Sequence, residues 1–175
     1  MKTVKTVDKN SKEYVFMHDI VCANHPEFRN YPDRQAWALN SPDSFNIPRL
    51  VEESLAVVGP YEFVDAAGYD FSDKSDSKTT TVRFSPSQKS AGHIEITNIE
   101  TKIGDLRITA FNSRMNRVDF FWLPRHNVKQ LKVPSSGKKA AFKEVIRFNY
   151  SIKKDNYGKF EKYRLGSFKE LALAA

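Results

Sequence analysis

Asp70, Asp76 and Lys78 stand close together in the stretch Gly68-Tyr69-Asp70-Phe71-Ser72-Asp73-Lys74-Ser75-Asp76-Ser77-Lys78, and the β-branched run Thr79-Thr80-Thr81-Val82 follows at once. Hydrolysing a phosphodiester requires neutralised non-bridging oxygens, a nucleophilic water and a stabilised leaving oxygen. Magnesium supplies all three when one or two carboxylates anchor it and several waters stay bound. Asp70 and Asp76 are the candidate anchors, and the Ser77 carbonyl is a further candidate ligand. Lys78 can stabilise the charged transition state or orient the attacking water. Asp65 and Asp73 are rivals for the first metal position, although Asp73 reads more simply as a solvated turn residue. The alternative for the whole stretch is a charged, solvated loop without chemistry.

Those residues need strands and a helix to hold them. The threonine-rich run predicts a strand over Asp76–Phe84, which puts Asp76 and Lys78 on one side. Tyr69–Phe71 reads as the opposing strand of a hairpin, with Ser72–Ser75 as its turn and Asp70 facing across. Upstream, Asn46 and Pro48 sit where a cap and a first-turn proline belong, Leu50, Val51, Ser54, Leu55 and Val58 share a face, and Gly59-Pro60 ends the helix. Glu52 and Glu53 flank that face. Either they are a solvated pair favoured by the helix dipole, or one of them leans over the acidic cluster.

The remaining pattern predicts an α+β (α/β) fold with a central mixed β-sheet flanked by helices. Tyr61–Val64 and His93–Thr97 read as strands, and Asn98–Gly104 as a turn or short helix. Leu106–Phe111 and Val118–Leu123 form a hairpin ended by Pro124. After a helix or loop from Arg125 and a flexible Pro134–Lys139 stretch, Val145–Ile152 and Lys159–Leu165 read as a second hairpin, and Ser167 caps a terminal helix. Near the N-terminus, Ser11–Val21 is a short helix or a strand, Asp33 caps a helix through Leu39, and Trp37 is a core anchor.

Composition narrows the class. The 175 residues are 40% hydrophobic and 28% charged, which fits one domain with its own core. No apolar run long enough to span a bilayer and no signal-peptide pattern is present, so a cytoplasmic protein without membrane attachment is expected. The single cysteine, Cys22, excludes an intrachain disulfide and a cysteine-rich zinc site. The net charge of +7 is uneven, because residues 125–175 carry thirteen Lys and Arg against four Asp and Glu. A basic tail interleaved with aromatic rings suits a polyanion. Arg83, Arg107, Arg114, Arg117 and Lys129 are the candidate contacts to phosphates or bases.

Glu52 or Glu53 on a helix, then Asp70-Phe71, then Asp76-Ser77-Lys78-Thr79 on a strand, resembles the PD-(D/E)xK nuclease superfamily, nearest to the mismatch-repair nicking endonucleases and their restriction-enzyme relatives. The resemblance covers residues 46–84. Tyr69 replaces the proline that names the motif, and the Leu106–Leu123 hairpin stands where a strand and crossover helix are usual. It implies a restriction-endonuclease-like core over residues 1–124, with 125–175 as a basic, DNA-contacting hairpin-plus-helix segment of the same domain. It also implies cleavage of double-stranded DNA with Mg2+, or Mn2+ in its place, by a type II restriction, phage or repair nuclease. Asp70 and Asp76 then hold the metal, Lys78 is the catalytic lysine, and Glu52 or Glu53 is an auxiliary acid. A homodimer is one arrangement by which so small a domain acts on a symmetric site. The competing class is a non-catalytic β-rich nucleic-acid-binding protein.

Overall fold

The computed structural model describes residues 47–87, 90–112, 114–115, 117–134 and 144–175. Its first helix, α1, runs Ile47–Val58. Pro48 falls in the first turn, where a missing N–H leaves no bond unmade. Val51, Ser54 and Leu55 are buried along one face. The Gly59 amide closes on the Leu55 carbonyl at 2.7 Å just before Pro60. The expectations for Ser11–Val21, Asp33–Leu39, Trp37 and the Asn46 cap lie outside the described residues.

Strand pairing departs from the expected hairpin. β1 (Phe63–Ala66) and β2 (Tyr69–Phe71) pair antiparallel with each other, turning at Gly68, whose φ of +90° suits glycine. β3 (Asp76–Thr81) does not ladder with β2; it runs parallel to β5 (Leu106–Asn112), with Asp76 opposite Leu106 and Thr81 opposite Phe111. The reason is local: the Ser75 carbonyl accepts both the Asp70 amide at 3.0 Å and the Phe71 amide at 3.2 Å, which closes a tight loop rather than a ladder.

The expected hairpin of β5 with β6 (Arg117–Leu123) is present, Leu106 opposite Leu123 and Asn112 opposite Arg117. β9 (Arg164–Leu165) adds to β6, giving a mixed sheet in the order β3-β5-β6-β9. A second, antiparallel sheet has the order β4 (Ala91–Ile96), β8 (Glu144–Ser151), β7 (Lys132–Pro134). α2 (Arg125–Leu131) precedes β7. α3 (Phe168–Leu173) is capped by Ser167, whose side chain accepts the Glu170 amide, as its sequence position predicts.

Both faces of the mixed sheet are covered, and every residue of β5 is buried. Leu106, Ile108 and Ala110 face the second sheet, sharing a core with Ile94, Ile96, Ile146 and Phe148. Phe111 and Phe120 face the helices, sharing a second core with Val51, Leu55, Phe168 and Leu171. The molecule is therefore a mixed α+β layer structure: helices, mixed sheet, antiparallel sheet. No described helix is long and apolar enough to cross a membrane.

The tail hairpin is the second correction. Gly158–Tyr163 is a 3-10 helix, and only Arg164–Leu165 is strand. Tyr157, Phe160 and Tyr163 recur every third residue, the 3-10 repeat. Tyr157 and Phe160 enter the core between the sheets, where Phe160 stacks on Phe148 at 4.2 Å and Tyr157 meets Phe121 edge-on at 4.8 Å.

Candidate active site

The acidic cluster is built at the start of β3. The Asp76 amide donates to the Asp105 carbonyl at 2.9 Å, which turns the Asp76 backbone toward β5. Successive residues of a strand present their backbone groups to opposite edges. The Ser77 amide and carbonyl therefore face the outer edge of the sheet, where the Ser77 amide donates to Asp70 Oδ2 at 2.8 Å. Asp70 is thereby brought beside Asp76, through its bond to the Ser77 amide and not by the hairpin that the spacing suggests.

Asp76 is buried, and two ammonium groups address it. Lys102 Nζ donates to Oδ1 at 2.6 Å, and Lys78 Nζ stands 3.3 Å from Oδ2. Oδ2 itself makes no hydrogen bond. The alternation that puts Asp76 and Lys78 on one side was readable from sequence; Lys102 was not, because it comes from the loop after β4. That loop is seated by two close approaches. A Cβ on Gly68 would lie 2.6 Å from the Thr101 carbonyl oxygen, and one on Gly104 would lie 2.0 Å from the Lys74 carbonyl oxygen.

The Asp70 carboxyl is held above its usual range, by burial first and by the charge of Asp76 second. The loop to β3 is fastened by Asp73, whose position in the sequence predicts only a solvated turn residue. Asp73 Oδ1 accepts the Ser75 amide at 2.9 Å and the Ser75 hydroxyl at 2.5 Å. Asp73 Oδ2 accepts Arg107 Nη2 at 3.0 Å. Burial alone would raise the Asp73 carboxyl, but these bonds from Ser75 and Arg107 hold it below the usual range. Asp73 is accordingly committed to the loop. Asp65 is placed apart from this loop: it is exposed and paired with Arg49 at 3.2 Å.

The two glutamates separate clearly. Glu53 is exposed and pairs with Arg49 at 3.1 Å. Glu52 is half-buried, and burial, then the charge of Asp70, push its carboxyl up to about 8. A carboxyl with a raised folded pKa binds its proton more tightly in the native state. Its contribution to stability is present below the ordinary glutamate range and is lost as pH rises through about 8. Glu52→Gln is therefore expected to stabilise the metal-free protein more at pH 8 than at pH 5. After discounting for solvent screening, the difference is about 1 kcal/mol, read from urea unfolding in EDTA. Equal effects at the two pH values would contradict the placement of Glu52.

Of the candidate basic contacts, Arg107 is corrected outright. It is 1% exposed, and its guanidinium donates to Ser75 Oγ, the Leu171 carbonyl and Asp73, so it clamps the core and presents nothing to a phosphate. Arg117 is engaged by Asp119 at 2.8 Å and Asp155 at 2.6 Å. Arg83 and Arg114 are exposed, and Arg114 lies over the Phe84 ring at 5.1 Å. All three sit at the far end of β3, about 20 Å from Asp76 by strand rise. Lys129 is on the near side: α2 begins two residues after Leu123, which pairs with Leu106 opposite Asp76. The Arg125 amide there donates to Asp105 Oδ1 at 2.7 Å. Arg125 and His126, which the sequence did not single out, are exposed beside Lys129.

Among the described residues, no three His, Cys, Asp or Glu side chains come together as a ready metal cage. The site instead offers two carboxylates, one outward-facing carbonyl and two lysines. Set beside known proteins, the chain matches no family model, no curated protein and no solved structure.

Proposed function

We propose that the chain is a divalent-metal-dependent endonuclease acting on double-stranded DNA, with a restriction-endonuclease-like core and Mg2+ as the natural ion. The observation that carries this reading is the convergence of Asp70, Asp76 and Lys78 at one end of β3, beside Glu52. The donor set fits the ion: Asp76 Oδ2 is buried without a hydrogen bond, and burial first, then the neighbouring carboxylate charge, hold Asp70 and Glu52 protonated more readily than usual. Asp70, Asp76 and the Ser77 carbonyl would hold it, leaving the other positions to water. When bound, the ion neutralises phosphate charge and activates water.

The chain's own groups then have separate tasks. Lys78 orients the attacking water and stabilises charge on the phosphate oxygens. Glu52, whose carboxyl is held above its usual range by burial and then by the charge of Asp70, is the candidate proton donor to the leaving oxygen. Arg125 and Lys129 on α2 seat the phosphate backbone at the same end of the sheet. A second reading has its own support: Asp76 is already balanced by Lys78 and Lys102, as in a structural ion cluster of a non-catalytic nucleic-acid-binding protein.

Supercoiled plasmid and mixed genomic DNA, incubated with Mg2+, Mn2+ or EDTA, separate the two. Metal-dependent nicking is expected, and Lys78→Ala is expected to lower it about 100-fold or more. No cleavage with either ion, or a Lys78→Ala protein that cuts as well as wild type, would sink the assignment. The non-catalytic protein would show salt-dependent binding, indifferent to EDTA, and no product.

A further inference from the structure

We propose that Lys102 is a built-in counter-ion that occupies the Asp76 carboxylate until a divalent metal displaces it. This rests on the metal-site reading above and adds a competitor to it.

Four observations lead there. Lys102 Nζ lies 2.6 Å from Asp76 Oδ1, nearer than Lys78 lies to Oδ2. Its side chain is only 10% exposed, so the ammonium is not a surface charge that happened to fall nearby. Its loop is fixed on both flanks, at Thr101 against Gly68 and at Gly104 against Lys74, by approaches that no side chain could replace without backbone movement. Those flanks belong to the β1–β2 turn and to the loop between Asp70 and Asp76, so the segments that carry the carboxylates also aim the lysine.

Lys102 Nζ at 2.6 Å occupies Asp76 Oδ1, and a dication drawn to the same carboxylate repels that ammonium. A metal that coordinates Asp76 Oδ1 as well as the unbonded Oδ2 displaces Lys102, and the lysine-seated form is then the weaker-binding state. The apparent affinity is then reduced by the fraction of molecules in which Lys102 has left. In exchange, the buried Asp76 keeps a balancing charge when no metal is present. Lys102 is a positioning residue in this scheme, distinct from Lys78.

The test is Mn2+ binding, read by the electron paramagnetic resonance of free Mn2+, with no cleavage measured. Lys102→Met is expected to bind Mn2+ about tenfold tighter than wild type, the equivalent of one partly buried ion pair removed from the competing state. Asp76→Asn should abolish the binding in both backgrounds. If wild type binds Mn2+ through Asp76 and Lys102→Met binds no tighter, the counter-ion idea fails while the metal site stands. If neither protein binds Mn2+, both fall together. Should Lys102→Met fail to fold by circular dichroism, reductive methylation of wild type followed by mass spectrometry decides. Lys102 is expected to label faster once Mn2+ is added, and unchanged or slower labelling overturns the proposal.

Discussion

Asp76→Asn is expected to reduce metal-dependent DNA cleavage about a thousandfold or more, and to cost about 2–4 kcal/mol of stability in the metal-free protein. The first effect follows from removing an anchoring charge. The second follows from burial: Asp76 is 1% exposed, and its loss leaves Lys102 and Lys78 facing each other without a balancing anion. The two effects can be pulled apart. The double variant Asp76→Asn with Lys102→Met removes the orphaned charge, so stability should recover while cleavage stays lost. Urea unfolding and plasmid nicking on the same four proteins read both. If cleavage returned together with stability, Asp76 would be a folding residue only.

Arg107→Met is expected to be the most destabilising single change at the site's support, at about 3 kcal/mol or more by urea unfolding. One buried guanidinium holds partners from two segments far apart in sequence: Ser75 Oγ at 3.1 Å and Asp73 Oδ2 at 3.0 Å from one, and the Leu171 carbonyl at 2.5 Å from the other. It also lies over the Tyr61 ring at 4.5 Å, and the Tyr61 hydroxyl donates to the Ala172 carbonyl at 2.8 Å. The end of α3 and the loop between Asp70 and Asp76 are thus fastened to the same group. Arg107→Lys should not rescue, because a single ammonium cannot span that fork. The loss should also shrink on acidification, since Asp73 has a lowered folded pKa and contributes stability that is lost as pH falls through it. A change under about 1 kcal/mol would mean the network is slack.

What was legible in the sequence had local causes. α1 was readable from a first-turn proline, an apolar stripe and Gly59-Pro60, and β5 with β6 from two β-rich runs around a short loop. The Asp76 and Lys78 pair followed from strand alternation. What was not legible depended on distant partners. β3 looked like half of a hairpin because the parallel pairing to β5 crosses β4 and a long loop, which no local pattern announces. Lys102 lies 26 residues from the carboxylate it meets. Arg107 alternates with Leu106 and Ile108, so it looked like an outward charge on a one-sided strand; β5 is buried on both faces, and the arginine is internal. For Gly158–Tyr163 the signal was present, since its aromatic residues recur every third position and not every second.

Asp70 closes the outer edge of β3 at the Ser77 amide, and this bears on how the protein associates with itself. An uncapped edge amide beside Thr79 and Thr81 would offer a template for a strand from another molecule. Asp70 therefore satisfies one outward-facing amide of that edge as well as shaping the acidic cluster. Asp70→Asn, which keeps an acceptor for that amide, is expected to aggregate less than Asp70→Ala, as read by light scattering.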